Sequence, residues 1–238
     1  MTSARSSTIV PEIVRNGLLV ATAEMKAVVM RTAYSTTWSE AGDLSCGILT
    51  PAGEIVAQGE RDIPVHLGTM PLSVQGCLEV VGDDVHPGDI LVHNDPRAGN
   101  NHLPDFILVR PVFVDDELVA HVSVRAHWAD VSGRAPGSMT SMCTDALQEG
   151  IRVPPIHLAR GDVVNEELVR LLLSNTRAPD LVLGDMRAQI AGLRRGEERV
   201  RALAARYGRD VFKASTEEIL RRSEVLMRER IAALPDGV

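Results

Sequence analysis

Two apolar segments, residues 106–114 and 117–126, are separated only by Asp115-Asp116. Runs of strand-forming residues joined by two acidic turn-formers specify an antiparallel hairpin. In such a hairpin the start of one strand lies beside the end of the other. Asp105, just before the first strand, is therefore expected next to His127, just after the second. Everything else in the chain can be read as scaffold around that pairing.

The neighbourhood is rich in chemistry. Residues 91–133 hold four of the seven histidines (His93, His102, His121 and His127), together with Asp95, Asp105 and Asp130. His102-x-x-Asp105 with His127 offers imidazole and carboxylate donors on short turns and a strand end, as a divalent ion requires. The same spacing also suits a hydrogen-bonded loop histidine, and both readings stand on the residues alone. Asp43 is either a further oxygen ligand or a turn residue before a strand. His66, set between Pro64 and Gly68, is a candidate acid or base, or a structural histidine. Asp95 and Asp130 either orient imidazoles or close Asx turns. Trp128 either walls a pocket or packs in the core. His93 and His121 lie inside strand patterns and are expected to be structural.

Around this stretch the chain reads as alternating elements. Ser7 and Thr8 are candidate caps for a helix with Pro11 in its first turn, carrying apolar residues at helical spacing to about Tyr34. Residues 44–50 and 54–58 form a hairpin around Pro51-Ala52-Gly53. Residues 62–68 are punctuated by proline and glycine, and a helix is expected over 70–81, ended by Gly82. Residues 90–93 make a short strand and 94–104 a polar loop. After a second loop over 133–150, residues 152–155 are extended. Asn165 caps a helix to Asn175. Pro179 starts a long one to Tyr207, weakened at Gly184, Gly192 and Gly196. Ser215-Thr216-Glu217-Glu218 is a capping-box pattern for a last helix to Leu234. The expected class is α+β: an N-terminal helix, antiparallel hairpins carrying the site, and a C-terminal helical segment. The expected division is a metal-site α+β domain over 1–160 and a helical segment over 161–238 packing on it or on a partner.

Composition excludes several functions. Only 3% of the residues are aromatic, so the core must be aliphatic, and a net charge of −7 argues against a nucleic-acid partner. Cys46, Cys77 and Cys143 form no CxxC pair, which fits a reducing cytoplasm. No apolar leader is evident and no run approaches the ~18 apolar residues of a membrane helix, so a soluble cytoplasmic protein with no membrane partner is expected. There is no P-loop, Rossmann glycine fingerprint, nucleophile elbow or HExxH. If ATP is used, it must bind elsewhere, most simply on a partner.

Eight collinear motifs run through roughly residues 10–210. They are Asp43-Leu44-Ser45-Cys46, Ile63-Pro64-Val65-His66-Leu67-Gly68-Thr69-Met70, Asn94-Asp95-Pro96 and His102-Leu103-Pro104-Asp105. Then come Arg125-Ala126-His127-Trp128-Ala129-Asp130, Pro136-Gly137-Ser138, Glu149-Gly150-Ile151-Arg152-Val153-Pro154-Pro155 and Gly184-Asp185-Met186-Arg187-Ala188-Gln189. In this order they resemble the hydantoinase B/oxoprolinase family, which includes B subunits of ATP-dependent hydantoinases and lactamases, part of 5-oxoprolinase, and a subunit of acetone-type carboxylases.

The resemblance implies one divalent ion (zinc, manganese or iron) on His102, Asp105 and His127, with Asp43 as the further carboxylate. His66 and Asp130 are then the candidate catalytic residues. It also implies a hetero-oligomer with a kinase-like or actin-like ATPase A subunit, which binds ATP and phosphorylates the carbonyl of a cyclic amide such as hydantoin, 5-oxoproline or a lactam. Hydrolysis at the metal site would follow. The alternatives are a subunit of an ATP-dependent ketone carboxylase and a truncated, non-catalytic assembly subunit. The chain departs from the family at Asp62, where members usually carry His, and at Asn100-Asn101, where they usually carry Gly-Thr. Members also continue past Val238, so a fragment, a split form or a short form is expected.

Overall fold

The computed structural model describes residues 3–235 and 237, with side chains from residue 9 onward. The strands are β1 (Leu44–Leu49), β2 (Ile55–Gln58), β3 (Ile90–His93), β4 (Asp105–Val114), β5 (Glu117–His127), β6 (Ile156–Arg160) and β7 (Val163–Val164). The helices are α1 (Ser3–Thr32), α2 (Thr36–Ser39), α3 (Pro64–Val81), α4 (Glu166–Ser174), α5 (Pro179–Tyr207) and α6 (Arg209–Ala232). The strands form one sheet in the order β2-β1-β5-β4-β3-β6-β7, and every neighbouring pair is antiparallel. The class is α+β, as the sequence leads one to expect.

The β4–β5 hairpin is the centre of that sheet. Its register runs from Val114 opposite Glu117, through a one-residue shift between Val112 and Phe113, to Asp105 opposite His127. Asp115 and Asp116 take φ of 50° and 61°, the left-handed pair that a tight hairpin turn needs and that Asp tolerates.

Strand pleating divides the interior into two unlike layers. Phe106, Leu108, Val122, Val124 and Ala126 join Leu18, Met25 and Val29 of α1 and Leu193 of α5 in a large aliphatic core. Full burial of each such side chain contributes about 1.5–3 kcal/mol. On the opposite face Leu91, Ile107 and Val109 pack with Met70, Val74 and Cys77 of α3 in a smaller cluster. The rest of that second face is polar, carrying buried His93, Asp105, His121, Ser123 and Arg125.

Several elements differ from the sequence reading. α1 begins at Ser3, so Ser7 and Thr8 lie within it rather than capping it, and Pro11 is interior. α3 begins at Pro64, not near Met70. A first-turn proline has no N–H to lose, so Pro64 starts the helix instead of interrupting it. β6 and β7 extend the sheet past the double proline 154–155. α5 runs unbroken through its glycines because they are contact points: added Cβ atoms would fall 2.3 Å from Tyr34 at position 184 and 2.5 Å from Val29 at position 192. α6 begins at Arg209, so Ser215 is interior and donates to the Val211 carbonyl at 2.7 Å instead of capping. Asn165 does cap α4, its Oδ1 accepting from the Glu167 and Leu168 N–H groups.

Candidate functional site

The ends of β4 and β5 and the start of α3 meet on the polar face. Asp105 opens β4 and His127 closes β5 directly opposite it. His102 is brought over Asp105 by a buried asparagine. Asn100 Nδ2 lies within hydrogen-bonding distance of the carbonyls of Asn94 (2.9 Å), His102 (2.7 Å) and Asp105 (2.8 Å), folding the loop onto itself. Asn94 braces the same loop from below. It donates to the Leu103 and Ile151 carbonyls and accepts from the Val153 N–H.

Three donor atoms converge there. Asp105 Oδ1 lies 2.7 Å from His102 Nε2 and 3.1 Å from His127 Nδ1, and the two nitrogens are 3.4 Å apart. Asp105 Oδ2 is held separately, accepting from Asn101 Nδ2 at 2.5 Å and facing His66 Nε2 at 2.8 Å. His66 Nδ1 is 3.1 Å from Ser45 Oγ, which also accepts from the Ile63 N–H. An ionised carboxylate only accepts, so His66 Nε2–H donates to Asp105 Oδ2, and in the neutral ring Nδ1 then accepts from the Ser45 hydroxyl. Burial opposes ionisation of Asp105, but the hydrogen bonds from His102, His127 and His66 outweigh it and hold the carboxyl well below its ordinary range. Burial likewise disfavours the charged form of His102, yet the bond to Asp105 wins and raises its pKa.

The donor set suits a divalent ion. Ligands about 2.0–2.2 Å from one ion approach one another to roughly 3–3.5 Å, close to the spacing of these three atoms. Among the described residues this is the one group of three or more His, Cys, Asp or Glu so arranged. One carboxylate oxygen faces both imidazoles while the other is tied back by His66 and Asn101, an orientation typical of ligands with supporting hydrogen bonds.

Asp43 stands at the rim with a third of its side chain exposed, 3.9 Å from His66 Nε2 and outside the triad. Asp130 is not brought to the site. Its Oδ1 accepts from the Ser132 and Arg177 N–H groups and its Oδ2 from the Gly137 N–H and the Arg177 guanidinium, so both oxygens clasp a loop. Burial opposes that ionisation, but these donors hold the carboxyl down to about 2. Asp95 closes a turn by accepting from the Arg97 N–H. Trp128 is a core residue, stacked on Phe106 at 3.9 Å and donating to Gln189. His93 is buried against the Ser73 carbonyl of α3 and His121 is buried further along β5, opposite Leu49 and Pro111; burial brings each down to about 4. Of the departures from the family pattern, Asn101 reaches the site, whereas Asp62 pairs with Lys26 at 2.7 Å and accepts from the Cys46 and Gly59 N–H groups.

Ser45 and Asn101 also contact the cluster and are not expected there from spacing, although Ser45 lies inside the Asp43–Cys46 motif and Asn101 directly precedes His102. The cluster opens to solvent through a shallow pocket of about 420 Å³ bordered by Asp43, Val65, Asn101 and Met139. A second pocket of about 440 Å³ shares His102 and Met139 and is walled by Ser141 and Glu149. No helix of the described residues is long and apolar enough to cross a membrane.

The sequence matches the family model for Hydantoinase B/oxoprolinase over residues 7–238. The caprolactamase subunit beta of Pseudomonas jessenii is 32% identical over 225 residues, 94% of this chain and 39% of that one. The crystal structure of the ATP-dependent caprolactamase from the same organism superposes with a TM-score of 0.90 at 31% identity, covering 96% of this chain and 39% of that one. A nucleotide-free acetone carboxylase shares the fold, with a TM-score of 0.81 at 22% identity, covering 87% of this chain and 28% of that one. The chain thus spans 39% or less of the length of the curated relatives it matches. It belongs to the hydantoinase B/oxoprolinase family.

Proposed function

We propose that this chain is the metal-holding part of an ATP-dependent cyclic-amide hydrolase, acting with an ATPase subunit of the kinase-like or actin-like type. The observation that carries the reading is the convergence of His102 Nε2 and His127 Nδ1 on a single oxygen of Asp105. His102, Asp105 and His127 would hold one divalent ion, of zinc, manganese or iron type, with Asp43 near enough to the rim to join them. Such an ion polarises a substrate oxygen or lowers the pKa of a bound water.

The chain's own residues prepare that chemistry. His66 acts on Asp105 rather than on substrate, keeping Oδ2 occupied so that Oδ1 stays turned to the imidazoles. Met139 and Val65 narrow the approach to the cluster, and Glu149 and the Ser141 hydroxyl give the adjoining pocket polar walls for a ring substituent. An unstrained amide is a poor electrophile; phosphorylation of its oxygen on the partner makes the carbonyl carbon electrophilic, so that added water expels the ring nitrogen and a second water releases phosphate from the acyl phosphate left behind. The greater identity to the lactam-hydrolysing relative than to the acetone carboxylase favours hydrolysis over carboxylation.

Elemental analysis tests the site. The wild-type protein is expected to carry about one divalent ion, and His102→Ala and His127→Ala to lose most of it. Equal metal content in all three would overturn the assignment. ATP consumption by the chain co-purified with its ATPase subunit, assayed with hydantoin, 5-oxoproline, caprolactam, and acetone plus bicarbonate, tests the reaction. Turnover with acetone alone would replace the hydrolase reading with the carboxylase one.

A further inference from the structure

One row deeper in the sheet than His127, Arg125 is fully buried, opposite Ile107 on β4 and Ser45 on β1. Its ion pairing is unusual: among the described residues no carboxylate lies within 4 Å of it. A buried guanidinium without a carboxylate is costly unless its donors are well used. Here the Nη donors are directed at one helix, while Nε finds no hydrogen-bond partner. Nη1 donates to the His66 carbonyl at 3.1 Å and to Thr69 Oγ1, and Nη2 donates to Ser73 Oγ. Residues 66, 69 and 73 lie on a single face of α3, at the spacing of successive turns.

The two hydroxyls pass the constraint on. Thr69 Oγ1 donates to the Val65 carbonyl at 2.8 Å, within the first turn of α3. Ser73 Oγ donates to the Gly99 carbonyl at 2.9 Å, at the head of the Asn100–His102 loop. One planar fork therefore reaches both segments that carry the histidines approaching Asp105 from outside the hairpin. A lysine ammonium, a single point with no fixed plane, cannot serve three acceptors spread over two helical turns.

We propose that Arg125 is the positioning residue of this site, fixing the rotation and depth of α3 so that His66 Nε2–H meets Asp105 Oδ2. Asp105 Oδ1 is thereby left facing His102 and His127. The part of this inference that concerns ion affinity rests on the metal reading above, while the part that concerns His66 rests on hydrogen bonding alone.

The test uses two readouts on the full chain. Long-range ¹H–¹⁵N spectra, with the His66 signals assigned by His66→Gln, report which ring nitrogen carries the proton. Titration with Co²⁺, followed by its visible absorption, reports the donor set. Arg125→Lys and Arg125→Met are expected to lose the single Nε2–H form of His66 and to weaken Co²⁺ binding by at least about ten-fold. Ser123→Ala, a buried residue on the same strand and face, is expected to change neither. If the Arg125 variants do not fold, Thr69→Val and Ser73→Ala each remove one acceptor and keep the charge. Each is then expected to broaden or shift the His66 signals and weaken Co²⁺ binding several-fold. An unchanged His66 spectrum, with Co²⁺ affinity within about two-fold of wild type in the folded variants, would overturn the proposal. Absence of Co²⁺ binding by the wild type would sink the metal reading and leave the His66 spectra to decide the role of Arg125.

Discussion

Asp130→Asn is the substitution whose effect the structure fixes most closely. Both carboxylate oxygens accept from two or more donors, and the side chain is only 5% exposed. An asparagine amide must turn its NH₂ toward either the Ser132 and Arg177 N–H groups or the Gly137 N–H and the Arg177 guanidinium. Either way donors face donors. The fall of the Asp130 pKa from 3.8 to about 2 corresponds to about 2.4 kcal/mol at neutral pH. Because Arg177 is 44% exposed and partly screened, about 2 kcal/mol is the expected loss. The folded-state pKa is depressed, so the stabilisation is complete above the unfolded-state value and is lost as pH falls through the folded one. By linkage it should halve near pH 3, to about 1 kcal/mol. Urea unfolding of wild type and Asp130→Asn, followed by tryptophan fluorescence at pH 7, 4 and 3, measures the difference directly. Equal stability at pH 7, or a difference that stays constant down to pH 3, would refute the reasoning. Metal content of the variant should stay at the wild-type level, because Asp130 touches none of the three donors.

His121 is fully buried, and burial takes its pKa down to about 4, below the unfolded value near 6.5. The unfolded chain therefore binds the proton more readily, and stability falls as pH drops through that window. His121→Leu should gain about 2 kcal/mol on wild type between pH 7 and pH 5, a change in urea midpoints that cancels any common packing cost. A pH-independent difference would count against it. Two helical glycines in α3 should respond with opposite signs. At Gly76 a Cβ would meet the Ala98 carbonyl oxygen at 2.4 Å, whereas at Gly68 nothing lies within 4 Å. Gly76→Ala should cost about 1–3 kcal/mol through overpacking, and Gly68→Ala should stabilise by up to about 1 kcal/mol. Thermal unfolding that moves both in the same direction would contradict the packing described.

The hairpin is legible in the sequence because its two-residue turn is local. That turn alone would set Asp105 opposite Ala126; a register shift between Val112 and Phe113, which nothing in the spacing announces, brings His127 there instead. The Asn165 cap and the long helix from Pro179 are legible for similarly local reasons. What the sequence hides depends on partners far along the chain. Pro64 reads as punctuation until α3 is seen to need a first-turn proline. Gly184, Gly192 and Gly196 read as weak points until α1 is seen packed against them. Ser215 resembles a cap, but α6 has already begun at Arg209. β6 finds its place only beside β3, more than sixty positions earlier in the chain. In the site, His102, Asp105 and His127 declare themselves by residue type. Asn100 and Arg125 do not, because an amide and a guanidinium acquire their roles from carbonyls and hydroxyls that no spacing rule connects.

The pleat of β5 has a consequence for how the protein reaches its native state. His121, Ser123, Arg125 and His127 occupy one side of the strand, and Val122, Val124 and Ala126 the other. A slip of one residue against β4 would drive all four polar side chains into the aliphatic layer beneath α1 and α5. It would also expose the three apolar ones to the polar seam under α3. The groups that assemble the site thus serve as an alignment key for the sheet. A molecule in the wrong register is rejected by the desolvation of the same imidazoles and guanidinium that the site needs, so correct folding and a formed site are selected together.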